Sequence, residues 1–216
     1  MPKPSRAAAT SRSPPLNTGP RIDVLVNNAG YAELGFFETV TDTAVRRQFE
    51  VNLFGTMNVA RAVAPQMRER RSGLIVTFSL VSGLVSNGGG AVYSASKFAV
   101  EGRMEGFAQE LATLGVRSLL VEPGMLCTDF MDRKSASFGS IDIPDYAEAM
   151  AQYRAFMDAA NGNQPGDPKL LAARIVALAS QGEVPSRLIF GDDARQWAGA
   201  KVDQLRQEIA QSADCG

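Results

Sequence analysis

At 216 residues the chain can bury one sizeable core but is too short for two comfortable domains. It is 45% apolar and 21% charged with a net charge of −1, the balance of a globular protein in water, and it lacks the basic excess that nucleic acid or an anionic membrane would call for. It contains no histidine, which excludes Ser-His-Asp and Cys-His catalysis and histidine-ligated metals together.

Cys127 and Cys215 are too few for a disulfide framework or a metal-ligand set, so no metal is expected. No apolar run approaches the roughly 18 residues of a membrane-spanning helix. Acid–base chemistry must fall to Tyr, Lys, Asp, Glu or water.

Residues 1–20 hold five prolines and no acidic residue, and they have almost no large apolar side chain, so they read as a disordered tail. From residue 21 onward the pattern alternates between strand and helix. Ile22–Val26 reads as a buried strand running into the turn Asn27-Asn28-Ala29-Gly30. Thr41–Arg71 carries helical spacing through Val45, Phe49, Leu53, Met57, Ala60 and Ala64, with Thr41 or Asp42 as N-cap and Pro65 as a local end or kink. Leu74–Phe78 is a second buried strand, and Gly88-Gly89-Gly90 a flexible approach to a helix over Tyr93–Leu114 that closes at Gly115. Val116–Val121 is a third strand ended by Pro123-Gly124. A loop-and-helix excursion to Gly162 comes next, then a helix over Pro168–Ser180, a strand at Arg187–Phe190 and a final helix over Asp192–Gln211. Continuous apolar strands alternating with helices predict a parallel sheet covered on both faces.

The chemistry centres on Tyr93-Ser94-Ala95-Ser96-Lys97. Tyr and Lys four apart share one helix face, one turn from each other. An ammonium beside a phenol favours the phenolate, so Lys97 is expected to lower the Tyr93 pKa from about 10 toward working pH. Such a pair gives a proton to a ketone being reduced, or takes one from an alcohol being oxidised.

Three further signatures accompany it: Asn27-Asn28-Ala29-Gly30 after the first strand, Asn52 within Val51-Asn52-Leu53-Phe54-Gly55, and Pro123-Gly124 at the end of the third strand. In identity, order and spacing the set resembles the short-chain dehydrogenase/reductase family, from about Arg21 to Thr128 and more loosely to Gly191. The resemblance implies a Rossmann-like doubly wound α/β sheet and an NAD- or NADP-dependent oxidoreductase acting on a small alcohol/ketone substrate. It also implies a cytoplasmic homo-oligomer with no nucleic-acid or membrane partner. Tyr93 would be the general acid/base. Lys97 would tune it and hold the nicotinamide ribose, and Asn52 would join a water-linked relay to Lys97. Asn27, Ala29 and Gly30 would shape the strand end beside the cofactor, while Pro123, Gly124 and Thr128 would border the nicotinamide.

Two departures qualify that expectation. No glycine-rich phosphate-binding turn precedes Asn27, so residues 21–216 read as an incomplete domain of a truncated member, lacking its first strands and leaving the strand at 22–26 as an edge. The family also places a serine about 13 residues before the tyrosine, and counting back from Tyr93 lands on Leu80, with Ser79 expected on the opposite side and Ser82 further along the loop. The alternative reading is a catalytically inactive relative, serving as a binding or scaffold fold or arising from a gene-model fragment.

Overall fold

A computed structural model describes residues 21–132 and 135–213; the tail at 1–20 lies outside the described residues. Four strands, β1 (Val24–Asn27), β3 (Leu74–Phe78), β4 (Arg117–Pro123) and β6 (Arg187–Phe190), form one parallel sheet in the order β1-β3-β4-β6. Two three-residue strands, β2 (Ala32–Leu34) and β5 (Ala136–Phe138), pair in parallel as a separate small sheet.

Period-two alternation decides what each face packs against. Leu74, Val76, Leu119 and Val121 meet Leu171, Ile175 and Leu178 of α5 (Pro168–Ala179) on one face. Ile75 points the other way, onto Val63 and Met67 of α2 (Thr56–Glu69) and Leu111 of α3 (Ala91–Ala112). Leu120 joins Val100 and Met104 on that same side. Helices therefore cover both faces, as the continuous apolar strands predict. The C-terminal helix, α6 (Asp192–Ala213), packs against β6.

Several boundaries differ from expectation. The first strand begins at Val24 rather than Ile22, because the Ile22 backbone is taken by side chains of α2: its N–H donates to Gln66 Oε1 at 2.8 Å and its carbonyl accepts from Arg70. It is also less buried than its apolar run suggests. β1 lies at the sheet edge, with Val24 38% and Val26 48% exposed. The third strand runs on through Pro123, whose missing N–H is tolerated at the strand's last position.

The helix read over Thr41–Arg71 is instead two helices, α1 (Asp42–Phe49) and α2, joined by a π-helical turn at Glu50–Gly55. Thr41 caps α1, its Oγ1 accepting from Ala44 N at 3.2 Å. Pro65 causes no break and sits inside α2. The carbonyl it orphans belongs to Arg61 on the exposed face, where water can satisfy it. The helix breaks at Asn52 because that side chain is drawn into the interior, and Thr56 Oγ1 bonds the loosened carbonyl of Leu53 at 2.8 Å.

Candidate active site

α3 delivers the central pair. Tyr93 and Lys97 are 5% and 7% exposed, because this stretch of α3 is enclosed by the π-helical turn, α1 and β2. Lys97 Nζ donates to the Phe78 carbonyl at the end of β3 at 3.2 Å and lies 5.8 Å from the centre of the Tyr93 ring. Asn52 comes in from the π-helical turn. Its Nδ2 donates to the Tyr31 carbonyl and to Ser96 Oγ, both at 3.1 Å, and its Oδ1 accepts from Tyr31 N at 3.2 Å. Ser96 Oγ in turn donates to the Tyr93 carbonyl at 2.7 Å.

Gly30 explains how these groups meet. A Cβ on Gly30 would stand 3.1 Å from Asn52 Oδ1 and 3.8 Å from Lys97 Nζ, so the bare glycine leaves a small cradle between the two polar ends. Asn27 is buried, donates from Nδ2 to Thr77 Oγ1 at 3.3 Å and ties β1 to β3. Lys97 and Asn52 therefore meet across Gly30, with the Tyr93 ring beside Lys97. Pro123 and Gly124 are buried at the end of β4. Ala29 and Thr128 are both exposed, and the Thr128 hydroxyl is engaged as a cap, accepting from Phe130 N at 3.3 Å.

The electrostatics of the pair correct the expectation for Tyr93. Its surroundings are apolar: Ala32, Leu34 and Ala136 from the small sheet, with Leu80, Phe130, Phe138, Tyr153 and Met157 packed against them. Burial pushes the phenol well above its ordinary value, because nothing there solvates a phenolate. The Lys97 ammonium faces a carbonyl and the tyrosine ring instead of the phenol oxygen, and burial lowers its own pKa to about 8 against the opposing pull of Glu101. The lysine, and not the tyrosine, is poised near neutrality in this state.

Leu80 packs in the apolar cluster around Tyr93, whereas buried Ser79 lies on the other side with Glu101, the two closing around Gly83. The parity read from the sequence thus holds. Ser82 is half-buried in the short turn Val81–Gly83. The glycine run is more than a flexible approach: Gly89 has φ +82 and bears on the Tyr153 ring, leaving 2.9 Å for any Cβ. Tyr153 and Met157 belong to α4 (Ala147–Ala160), so the excursion after β4 folds back over Tyr93. A cavity of about 380 Å³ between Thr39, Ile141, Tyr146, Met150 and Arg154 includes none of the site residues.

Sequence reasoning passed over several participants. Ser96 carried a signal, three positions after Tyr93 on the same face. Asp193 carried none: its Oδ2 accepts from Met125 N at 2.8 Å, and its carboxylate fills the space beside Gly124 and Gly191, tying α6 to the loop after Pro123. Among the described residues no cluster of acids or cysteines suits a metal, and no helix is long and apolar enough to cross a membrane.

Comparison with known proteins gives this geometry its lineage. Residues 15–137 match the family model for short chain dehydrogenases. The chain belongs to the short-chain dehydrogenase/reductase family. It is 32% identical to an oxidoreductase of Botryotinia fuckeliana over 86% of this chain and 67% of that protein. A short-chain dehydrogenase structure from Streptomyces avermitilis superposes with a TM-score of 0.81 at 39% identity, covering 90% of this chain and 70% of the other. The structure of ElxO with NADP bound matches with a TM-score of 0.59 at 25% identity, over 77% of this chain and 64% of that one. The chain thus spans about two thirds of the length of these short-chain dehydrogenase relatives, and the family supports the Rossmann-like fold and an oxidoreductase role.

Proposed function

We propose that this chain carries the catalytic and nicotinamide-side half of an NAD(P)-dependent oxidoreductase that interconverts an alcohol and a ketone, with Tyr93 as general acid/base. The meeting of Lys97 and Asn52 at the Gly30 cradle, with the Tyr93 ring beside Lys97, carries the reading. The donor set suits the nicotinamide end of such a cofactor. Lys97 Nζ would turn from the Phe78 carbonyl to the ribose, and Pro123 and Gly124 would border the ring. The nicotinamide supplies or accepts the hydride when bound. Tyr93 moves the proton at the substrate oxygen, Lys97 would favour its ionised form once turned away from the Phe78 carbonyl, and the Asn52–Ser96 bond holds the π-helical turn against α3. The phosphate end has no matching glycine-rich turn in this sequence.

A second reading, a catalytically inactive relative, is favoured by Leu80 standing beside Tyr93 where a hydroxyl donor is expected. One experiment separates them. The chain is completed with the glycine-rich segment that the family resemblance implies, NADH and NADPH binding is measured by calorimetry, and ketone reduction is followed. The oxidoreductase reading expects turnover that Tyr93→Phe abolishes, since no histidine can take over the proton. Cofactor binding without turnover across a broad ketone panel would establish the inactive reading. The unsupplemented chain is expected to bind either cofactor very weakly.

A further inference from the structure

Behind the catalytic pair lies a second buried polar cluster that the proposed reaction does not use. Tyr93, Lys97, Glu101 and Glu105 recur every four residues along α3, a stripe down one side of the helix. Glu101 is 5% exposed and Glu122 of β4 is fully buried. Arg187 of β6 reaches Glu101 and Glu105 at 2.5 Å each, and also pairs with Glu122. One guanidinium thus faces three carboxyl groups, and Glu101 Oε1 and Glu122 Oε2 remain buried without a hydrogen-bond partner.

Burial and the neighbouring Glu101 push the Glu122 carboxyl up. Three carboxyl groups stand against one guanidinium, so the cluster holds more acid than base. One turn before Glu101 stands Lys97, which among the described residues makes no ion pair within 4 Å and gives its hydrogen bond to the neutral Phe78 carbonyl. The polar groups facing Lys97 are Tyr93 and Glu101 from its own helix, the Phe78 carbonyl from β3, and Asn52 Oδ1 across Gly30. Those facing Glu101 are Arg187, Glu122, Glu105 and the Ser79 hydroxyl beyond Gly83.

We propose that Glu101 is a positioning residue of the catalytic pair: its carboxylate, anchored by Arg187, is the buried counter-charge that keeps the Lys97 ammonium protonated beside Tyr93. The role assigned to Lys97 rests on the oxidoreductase reading, but the charge coupling itself requires neither cofactor nor substrate. Burial alone penalises an isolated ammonium, and an anion one turn away on the same helix offsets that penalty. Arg187 has a purpose in this arrangement beyond cross-linking α3 to β4 and β6, since it holds Glu101 in the interior.

The coupling can be read directly. The chain has five lysines, so ¹³Cε-lysine labelling gives few NMR signals, and Lys97→Met assigns the one that matters. Glu101→Gln is expected to lower the titration midpoint of Lys97 by about one pH unit, a roughly ten-fold loss of proton affinity. Glu122→Gln disturbs the same Arg187 network but should move it by less than about 0.3 unit. A purely structural role for Glu101 would move both alike, so a Glu101→Gln shift no larger than that of Glu122→Gln overturns the proposal. Should Glu101→Gln fail to fold, Glu101→Asp keeps a charge at the position but draws it back by one methylene. It must lower the Lys97 midpoint by more than Glu122→Gln does, and an unmoved Lys97 signal overturns the proposal. Loss of turnover in the completed enzyme would sink the oxidoreductase reading and leave this titration unaffected.

Discussion

On the proposed oxidoreductase reading, Leu80 stands where a donor to the substrate oxygen is expected. Its side chain joins the apolar cluster around Tyr93, and it can neither donate to a substrate oxygen nor leave room for one. Replacing it with serine in the completed enzyme should raise turnover by roughly 10²-fold, the typical worth of one preorganised oxyanion donor. It should also lower stability by about 1–2 kcal/mol, since apolar burial is lost at a half-buried position. An unchanged or lower rate in steady-state kinetics would mean that Ser79 or Ser82 already serves, or that Leu80 is needed to shape the pocket. Tyr93 adds a constraint of its own. Its phenol ionises with difficulty in the closed apolar surroundings, so proton transfer requires either a nearby substrate oxygen or an opening of the α4 face that carries Tyr153 and Met157.

At the level of elements, β1 is the exposed margin of the sheet and, among the described residues, pairs only with β3. Leu74 N donates to Asp23 O at 3.0 Å and Val24 stands opposite Leu74, so a parallel ladder directs the amides of Leu25 and Asn27 inward and those of Val24 and Val26 outward. Hydrogen exchange should therefore be fast at Val24 and Val26 and markedly slower at Leu25, Asn27 and throughout β3. Uniform protection across β1 would show that another segment covers the edge. Only part of this architecture could be read from the sequence. The apolar strands, the α5 helix with Pro168 at its start, and the Tyr93–Lys97 face were legible because pattern and local chemistry agree there. β2 and β5 were not, since three residues are too few for alternation to rise above chance. The π-helical turn was also hidden: Asn52 looks like a tolerated polar residue in a continuous helix until its bonds to Tyr31 and Ser96 are seen. Arg187 gave no warning either, because its partners lie 65 to 86 positions away along the chain.

For the whole molecule, the buried titratable groups set how stability depends on pH. Folded Glu122 keeps its proton up to about pH 8, whereas the unperturbed carboxyl releases it near 4.5. Between those values the folded chain binds more protons than the unfolded one, so stability falls as pH rises. Lys97 acts oppositely above that window. Folded, it releases its proton near pH 8, and unfolded near 10.5, so the unfolded chain binds more protons and stability climbs with pH. Together these opposing slopes give the stability profile a trough between the carboxyl and lysine ranges. Urea midpoints measured from about pH 5 to pH 10 should trace it, and Glu122→Gln should flatten the descending arm, whose slope is at most about 1.4 kcal/mol per pH unit. A profile that rises steadily through pH 8 would contradict this assignment.

The all-parallel order β1-β3-β4-β6 has a kinetic consequence. Among the described residues every pairing in the main sheet joins segments roughly 40–70 positions apart, and no hairpin offers a local start, which is the regime of slow folding. The chain must close a long loop for each pair before any strand is rewarded. Nascent copies therefore expose apolar strands such as Leu74–Phe78 for longer than a helical protein of equal size would, and their yield depends on how quickly α2 and α3 cover that surface.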